Sequence, residues 1–358
     1  MIPDTLKNLN VIELAGVLAG PSVGMFFAEC GARVLKIENK KTGGDVTRSW
    51  KLTNESKDTN VSAYFSSVNY KKKYLMIDLS DQQELLAVKH EISSADIVIV
   101  NFKKGDDARY GLDYESLKKI NPSLIYGSIT GFGENSDRVA YDLILQAESG
   151  FMAMNGTSDS GPVKMPVALI DILAGHQLKE GLLLALLEKQ KTGKGAKVSV
   201  SLYESAIASL ANQASNWLMA QHNPQPIGSL HPNIAPYGEI FTTCDNQLIT
   251  FAIGTNRQFE NLCEFLELKN LLTDQQFCTN QQRVLHRQKL FSILKDIIIK
   301  HSADSIMQYA HAHFIPAAII KSVQDVFKSD EANHLVREEM INGVLTRRVS
   351  GTVFHFSN

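Results

Sequence analysis

Leu9-Asn-Val-Ile-Glu-Leu14 begins the pattern that decides the fold. It is followed by the turn Gly16-Val-Leu-Ala-Gly-Pro21, the amphipathic run from Ser22 to Glu29, and, after Gly31, the apolar run Ala32-Arg-Val-Leu-Lys-Ile-Glu38. The apolar runs favour strands, and the run between them favours a helix that Gly31 ends. The order predicts a βαβ unit. Its glycines at 16, 20 and 24 do not form Gly-x-Gly-x-x-Gly, so NAD binding is not favoured.

The same alternation of strands and helices continues downstream. The predicted elements are a strand from Tyr74 to Leu79, a helix from Asp81 to Glu91, a strand from Ala95 to Phe102, a helix from Tyr114 to Lys119, and strands from Ser123 to Thr130 and from Ala196 to Ser201. Strands that alternate with helices predict an α/β fold with a Rossmann-like, doubly wound, mostly parallel sheet. Ligands collect at the carboxyl ends of such strands.

A change in local composition and residue pattern predicts a second, smaller α+β domain. An Ala-rich helix from Tyr203 to about Ala220 precedes four prolines between residues 222 and 238, which mark a linker. Residues 239–251 resemble a hairpin turning at Asp245-Asn246, and residues 256–313 are mostly helical in pattern. The predicted domains are 1–205 plus 325–358, and 206–324. The segment from Ile315 and the last strands, ending at Phe356, are expected to return to the first sheet.

Composition excludes several classes of protein. The 358 residues are 44% hydrophobic and 21% charged with a net charge of -2, which gives no basic surface for nucleic acid. No apolar run approaches the roughly 20 residues that span a membrane, and the N-terminus lacks the order of a secretion signal, so a cytoplasmic location is expected. Four scattered cysteines suggest neither disulfides nor a metal site.

One carboxylate stands out. In Pro166-Val-Ala-Leu-Ile-Asp171, an extended apolar run leads to an acid at the start of a predicted helix that Thr192-Gly193 ends. Local sequence alone favours a simple N-cap for Asp171. The alternative is a functional carboxylate that the helix end keeps ionised.

The chain resembles the family III CoA-transferases, which include formyl-CoA and carnitine CoA-transferases and have the α-methylacyl-CoA racemases as close relatives. The matching pieces occur in the family's order over nearly the whole length. They are Val11 to Ala15 with Leu18-Ala-Gly-Pro21, Gly31 to Glu38, Gly44-Asp45 with Arg48 and Trp50, Asn69 to Lys73, Val100-Asn-Phe with Gly105, Tyr141-Asp142 with Gln146-Ala and Gly150, Asp171 with Gly175, Lys191 to Gly195 with Val198, Pro232 to Tyr237, and Asn280 with Arg283.

This resemblance implies that Asp171 is a nucleophile. In the family mechanism, the aspartate attacks an acyl-CoA thioester to give a mixed anhydride, and the CoA thiolate then forms an aspartyl-CoA thioester from which an acceptor acid regains CoA. In the racemases the aspartate has a histidine partner, where this chain carries Tyr141 followed by Asp142. A tyrosine of ordinary pKa near 10 is a poor base at neutral pH. A transferase is therefore favoured over a racemase or a non-catalytic CoA-binding protein.

The resemblance also implies the binding residues and the assembly. Coenzyme A, as a substrate, would contact Asn101, Phe102, Ile77 and Arg109, and also Lys40, although relatives carry an arginine where this chain has Asn39. Leu18, Ala19, Trp50 and Tyr64 would line the acid pocket beside Tyr141 and Asp142. No metal is implied. Family members form interlocked homodimers, so a dimer is expected. Relatives usually continue into a further tail where this chain ends shortly after Phe354, so either the chain is truncated or that contribution is missing.

Overall fold

The computed structural model describes residues 6–355 and residue 357, in two compact units. Unit 1 comprises residues 1–155, 162–224 and 333–358, and unit 2 comprises residues 156–161 and 225–332. The divisions at 224/225 and 332/333 lie beyond the predicted ones at 205/206 and 324/325. Met1–Thr5 and Phe356, on which parts of the localisation and last-strand predictions rest, lie outside the described residues.

The strands follow the predicted alternation. They are β1 Asn10–Leu14, β2 Arg33–Asn39, β3 Lys72–Ile77, β4 Ile97–Val100, β5 Ile125–Thr130, β6 Gly156–Thr157, β7 Gly161–Pro162, β8 Ala196–Ser201, β9 Tyr237–Thr242, β10 Leu248–Ala252, β11 Ala317–Ile319, β12 Val336–Ile341 and β13 Val344–Val349. The strand predicted from Ala196 to Ser201 has the same bounds in the structure, whereas the strand predicted at Tyr74 begins two residues earlier.

Helices connect these strands. They are α1 Ala19–Glu29, α2 Ala63–Ser66, α3 Gln82–Ser93, α4 Asp106–Tyr110, α5 Tyr114–Ile120, α6 Asp142–Glu148, α7 Phe151–Met154, α8 Leu169–Thr192, α9 Leu202–Ala208, α10 Asn212–Ala220, α11 Asn256–Phe265, α12 Asn280–Leu285, α13 Arg287–Ile298, α14 Ala303–Ala312, α15 Val323–Val326 and α16 Asp330–His334. Short 3-10 turns cover residues 40–42, 46–49 and 269–272. Within residues 6–355, none of these helices has both the length and the apolar character that crossing a membrane requires.

The six-stranded sheet of unit 1 has the order β3-β2-β1-β4-β5-β8, and all its pairings are parallel. Alternate residues of its strands enter different cores. Ile97 and Ile99 pack in a cluster with α1 and α8, whereas Val98 and Val100 pack in a cluster with α3 and α5. Because both faces are covered, the strands read as continuous apolar runs. The predicted doubly wound α/β fold is confirmed.

The order of strands reverses direction between β1 and β4, which are neighbours in the sheet. The chain leaves β1 toward β2 on one side, and it enters β4 after crossing from β3. The segments that follow β1 and β4, at Gly16 and Asn101, therefore diverge from the same edge. Such a topological switch point is the usual ligand crevice of an open α/β sheet.

Unit 2 is an antiparallel sheet of order β11-β10-β9 covered by helices α11 to α14. The predicted hairpin and the helical region after it are both present. Arg283 is buried with its guanidinium over the ring of Phe259, and it donates hydrogen bonds to the carbonyls of Ala235 and Phe277. Asn280 binds the same loop, donating to Asn233 and accepting from Ala235. The two side chains fix the proline-containing segment before β9.

Two sequence predictions were wrong. The segment after Ile315 forms β11, which pairs with β10 in the small sheet, and β12 and β13 pair with each other in a separate hairpin, so neither returns to the first sheet. The single helix predicted from Tyr203 to about Ala220 is two helices. Ala211, with a left-handed φ of 48°, separates α9 from α10. Apolar periodicity detected the elements, but it carried no information on which strand edge each one would pair with.

A buried cluster of charges lies beside β1. The ammonium of Lys36, on β2, is 2.9 Å from Glu13 Oε1, on β1, and 3.1 Å from Asp45 Oδ2. Lys72, on β3, binds the second oxygen of Glu13 at 2.8 Å. Burial alone lowers the pKa of Lys36, but the carboxylates of Glu13 and Asp45 outweigh burial and raise that pKa. Lys36 therefore stays ionised inside the fold, whereas burial lowers the pKa of Lys72 to about 8.

We expect Gly24→Ala to destabilise the protein, because a Cβ at residue 24 would lie 1.8 Å from Glu13 Oε2 and would displace the buried cluster. In an open helix the same change would stabilise by about 1 kcal/mol, whereas disturbing a buried charge pair costs about 3 kcal/mol or more. The expected loss, about 2 kcal/mol in the free energy of unfolding, is measurable by urea denaturation.

Gly254→Ala is the matched control, since the nearest atom to its new Cβ would be 3.7 Å away. Its free energy of unfolding should change by less than about 0.5 kcal/mol. A Gly24→Ala variant as stable as the wild type would show that α1 can move away from β1 without breaking the cluster.

Candidate active site

The loop that joins β1 to α1 is held from two sides. The side-chain oxygen of Asn101 accepts from the N–H of Gly16 at 3.0 Å, and its amide nitrogen donates to the carbonyl of Gly16 at 2.9 Å. The N–H of Val17 donates to the carboxylate of Asp45 at 3.2 Å. Val17 has a φ of 71°, a region costly for a β-branched residue, so these bonds are what keep the turn in place.

A cavity of about 620 Å³ opens at this switch point within unit 1. Its wall contains the β1–α1 loop, the segment after β4, the ends of β5 and β8, the loop from Gly131 to Tyr141, and Asp171. The lining residues are Gly16, Val17, Leu18, Ala19, Val100, Asn101, Phe102, Lys103, Lys104, Gly105, Asp107, Tyr126, Ser128, Ile129, Thr130, Gly131, Gly133, Glu134, Asn135, Ser136, Asp137, Arg138, Val139, Ala140, Tyr141, Asp171, Lys197 and Leu202. The volume suits a ligand larger than a simple acid.

Asp171 lies in the first turn of α8, but it does not cap the helix. The N-cap is Ala168, and the carboxylate of Asp142 accepts the N–H of Ile170 at 2.7 Å. The N-cap expectation for Asp171 was therefore wrong, because a carboxylate from α6 takes the capping position. Among the described residues, no hydrogen bond reaches the side chain of Asp171, although 93% of the residue is buried (7% exposed).

The environment of Asp171 makes it a weak acid. Burial, and secondly the negative charge of Asp142, raise the pKa of Asp171 to about 7. The expectation that the helix end would hold this group fully ionised was wrong, because burial and the charge of Asp142 both disfavour the ionised form, and the N–H of Ile170 donates to Asp142. The result is a carboxylate that is half ionised near neutral pH and more basic than an exposed aspartate.

Asp142 is fixed by the side chain of Gln146, one turn further along α6. The amide nitrogen of Gln146 donates to Asp142 Oδ2 at 2.5 Å, while its oxygen accepts the N–H of Met165 at 2.8 Å. Gln146 is buried. Both oxygens of Asp142 are thus engaged, one by α6 and one by the start of α8.

Two aromatic rings stand close to this carboxylate pair. Trp50 and Tyr64 form an edge-to-face pair with centroids 5.0 Å apart. Burial, followed by the charges of Asp171 and Asp142, raises the pKa of Tyr64 to about 12. Its hydroxyl therefore remains a hydrogen-bond donor at neutral pH and lies within electrostatic range of Asp171.

Six of the twelve predicted site residues line the cavity together: Leu18, Ala19, Asn101, Phe102, Tyr141 and Asp171. Asp142 and Tyr64 lie within electrostatic range of Asp171, and Trp50 packs against Tyr64. Ile77, Lys40 and Arg109 are not among the lining residues. Ile77 is buried at the end of β3, Lys40 forms an exposed ion pair with Glu84, and Arg109 is exposed on α4.

Sequence reasoning assigned no role to several residues of the site. Basic side chains at Lys103, Lys104, Arg138 and Lys197 line the cavity. Asp45 and Gln146 were noted only as matching pieces, without a function. A sign of Asp45's partners was present in the sequence, because Glu13 and Lys36 interrupt otherwise apolar strands.

The family model described as CoA-transferase family III matches residues 6–358. The chain belongs to this family. A succinate–glutarate CoA-transferase of Agrobacterium fabrum is 38% identical over 90% of this chain and 81% of its own length, and a succinyl-CoA:glutarate CoA-transferase of Mus musculus is 34% identical over 92% and 75%. The crystal structure of a CaiB/BaiF family protein from Brucella suis has a TM-score of 0.87 at 35% identity, covering 99% of this chain and 93% of that one. The predictions of this family and of an enzyme of the CoA-transferase class are confirmed.

We expect Asp171→Asn to raise the stability of this family III CoA-transferase above pH 7. The folded state keeps Asp171 protonated up to a pKa of about 7, whereas the unfolded carboxyl group ionises near 3.8, so ionisation costs stability as pH rises through this window. Asparagine removes that cost. The free energy of unfolding should be higher by about 2 to 4 kcal/mol at pH 8, measured by urea denaturation.

The difference should shrink as the pH falls from 7 toward 3, because the unfolded carboxyl group becomes protonated only below its pKa of 3.8. Asp296→Asn, an exposed change on α13, should have little effect at either pH. An Asp171→Asn variant less stable than the wild type at pH 8 would contradict the assigned environment.

Proposed function

We propose that this enzyme transfers CoA from an acyl-CoA to a carboxylic acid through covalent intermediates on Asp171. The observation that carries the proposal is a basic, buried carboxylate without a hydrogen-bond donor, in the wall of a cavity at the sheet's switch point. A carboxylate whose lone pairs are not occupied by donors is more nucleophilic than a capped one. Exclusion of water protects reactive acyl intermediates.

Each step exchanges one acyl bond for another, with no oxidation or reduction. An oxygen of Asp171 attacks the thioester carbonyl, the carbon–sulfur bond breaks, and a mixed anhydride and CoA thiolate result. The thiolate attacks the aspartyl carbonyl and expels the donor acid as its carboxylate, leaving CoA on Asp171. An acceptor carboxylate then expels CoA from the aspartyl thioester, and the thiolate attacks the acceptor's carbonyl to release the new acyl-CoA and the Asp171 carboxylate.

The cavity offers complementary surfaces to the parts of CoA. Phe102 provides an apolar ring after β4, and Lys103 and Lys104 provide positive charge for phosphate groups. Arg138 and Lys197 also line the cavity, but they form ion pairs with Glu148 and Glu134. Asn101 has both polar side-chain atoms bonded to Gly16, so we propose that it supports the loop rather than the nucleotide. Binding of CoA by Ile77, Lys40 and Arg109 stays a prediction, as do the homodimer and the cytoplasmic location.

The acids are proposed to be small dicarboxylates. Two relatives above 30% identity are named for succinate or succinyl-CoA and glutarate, and these names support a four- or five-carbon diacid here. Near Asp171, the Tyr64 hydroxyl remains a donor and Leu18 and Ala19 offer short side chains, which suits an acid of modest size.

Incubation with succinyl-CoA and no acceptor should attach CoA to Asp171, because the second step can then proceed without turnover to a new acid. Mass spectrometry of peptides should find the adduct on Asp171, and hydroxylamine should remove it, since it cleaves acyl thioesters. Asp171→Ala should lose both the adduct and transfer activity.

Asp159→Ala, at an exposed turn, is the control and should retain both. Full transfer by Asp171→Ala, or an adduct on another residue, would refute Asp171 as the nucleophile.

A panel of acceptor acids should show a preference for diacids. With succinyl-CoA as donor, kcat/KM for glutarate should exceed that for butyrate, its monoacid analogue of similar length, by roughly tenfold to a hundredfold, because a second carboxylate adds a charge-assisted hydrogen bond. The new thioesters can be quantified by liquid chromatography. Equal values for the two acids would contradict the diacid assignment while leaving CoA transfer itself intact.

A further inference from the structure

We propose that Gln146 is a positioning residue for the nucleophile, because its amide holds Asp142 against the start of α8 and so fixes a negative charge beside Asp171. The inference rests on the proposed function of Asp171, and it assigns a role to a residue that does not line the cavity.

The orientation of the Gln146 amide is fixed by its hydrogen-bond partners. Its oxygen accepts the N–H of Met165 at 2.8 Å, which leaves its nitrogen facing Asp142 Oδ2 at 2.5 Å. Gln146 is 1% exposed, so water cannot replace either bond. An acceptor group on this side of the amide would meet the Asp142 carboxylate unfavourably. Only a side chain that both accepts and donates satisfies the two neighbours.

The position of Asp142 is fixed between α6 and the start of α8. Its Oδ1 accepts the N–H of Ile170 at 2.7 Å, and its Oδ2 is held by Gln146. Met165 precedes α8, and Ile170 lies in the first turn of that helix. The four residues therefore tie both the approach to α8 and its first turn to α6. This connection sets where the Asp171 backbone stands relative to Asp142.

The fixed charge of Asp142 affects the reactivity of Asp171. Repulsion between two carboxylates raises the energy of ionised Asp171, and the attack on a thioester relieves that repulsion because the negative charge leaves Asp171. The benefit depends on Asp142 remaining in place during the reaction. Without Gln146, Asp142 could rotate away from the start of α8, and that movement would weaken the repulsion.

The titratable groups that face Asp171 from neighbouring elements of unit 1 are Asp142 on α6 and Tyr64 on α2. Tyr64 remains neutral throughout the range below its pKa of about 12. Burial is the larger cause of the raised pKa of Asp171 and the charge of Asp142 the second, so comparison with Asp142→Asn is needed to assign a changed titration to that charge.

The test compares two apolar replacements. Gln146→Met keeps the length of the side chain and Gln146→Leu shortens it, and both remove the hydrogen bonds to Asp142 and Met165. Both variants should lower kcat on the order of tenfold to a hundredfold and change the KM for acyl-CoA by less than about threefold. Ser149→Ala is the matched control. It removes another buried hydrogen bond of α6, from the hydroxyl to the carbonyl of Leu145, and should leave kcat within about twofold of the wild type.

Two further readouts separate positioning from a merely structural role. The acid limb of the kcat/KM profile should move to lower pH in Gln146→Met, as it should in Asp142→Asn. Adding Gln146→Met to the Asp142→Asn variant should lower kcat by less than about a further threefold, because the two residues act as one unit. An unmoved acid limb together with additive losses, or a kcat within threefold of the wild type in both Gln146 variants, would overturn the proposal.

A titration that needs no turnover keeps the inference distinct from the proposed function. Carbon-13 NMR of protein labelled at aspartate carboxyl carbons, with the Asp171 signal assigned by Asp171→Asn, should show the midpoint of Asp171 moving to lower pH in Gln146→Met. If the wild type transfers no CoA, the proposed function fails, and this midpoint alone decides the inference. If Gln146→Met does not fold, the midpoint in Gln146→Leu decides it, and a value equal to the wild type's would overturn the proposal.

Discussion

The ammonium of Lys36 connects the sheet to the ligand loop. It binds Glu13 on the neighbouring strand, the carbonyl of Ala15 at 2.5 Å, and Asp45. Asp45 in turn accepts the N–H of Val17, whose left-handed backbone starts the turn into α1. A lysine buried without these partners would lose its charge, because burial alone disfavours the ammonium. The geometry of the cavity wall thus depends on a charge cluster whose residues do not themselves line the cavity.

Burial of the Asp171 carboxylate without hydrogen-bond donors lowers the stability of the folded protein. Most buried carboxylates are stabilised by donors, whereas none of the described residues donates to this one, and the N–H nearest in the chain is used by Asp142. The site therefore holds a group that would be more stable protonated or replaced. A nucleophile requires this condition, since each stabilising hydrogen bond would have to be broken on attack.

Much of the fold could be predicted from local pattern. The alternation of apolar runs and helical periodicity located the parallel strands, because strands covered on both faces are apolar throughout. Pairing was less predictable. Nothing in the residues around Ala317 indicates whether a short apolar strand joins the large sheet or the small one, since both present an apolar edge.

In the candidate site, too, the residues were easier to predict from the sequence than their contacts. The order of short motifs identified Asp171 and much of the cavity wall, including Leu18, Asn101 and Tyr141. The protonation of Asp171 was mispredicted, because the group that captures the helix-start N–H lies 29 residues earlier and is brought there only by packing of α6 against α8. Gln146 was recognisable as a matching residue, but its partners are revealed only by distances.

The main chain of the β1–α1 loop is held in place independently of the side chains that this loop presents to the cavity. Asn101 and Asp45 grip Gly16 and Val17 only through main-chain atoms. The side chains of Leu18 and Ala19, which face the same cavity, take no part in that grip. Ala19 is buried in the core between α1 and the sheet, but Leu18 is only half-buried, so residue 18 can be exchanged for a larger or polar one without dismantling the turn that presents it. The architecture separates the scaffold from the specificity surface within three consecutive residues, which would allow new acids to be accommodated by a single substitution.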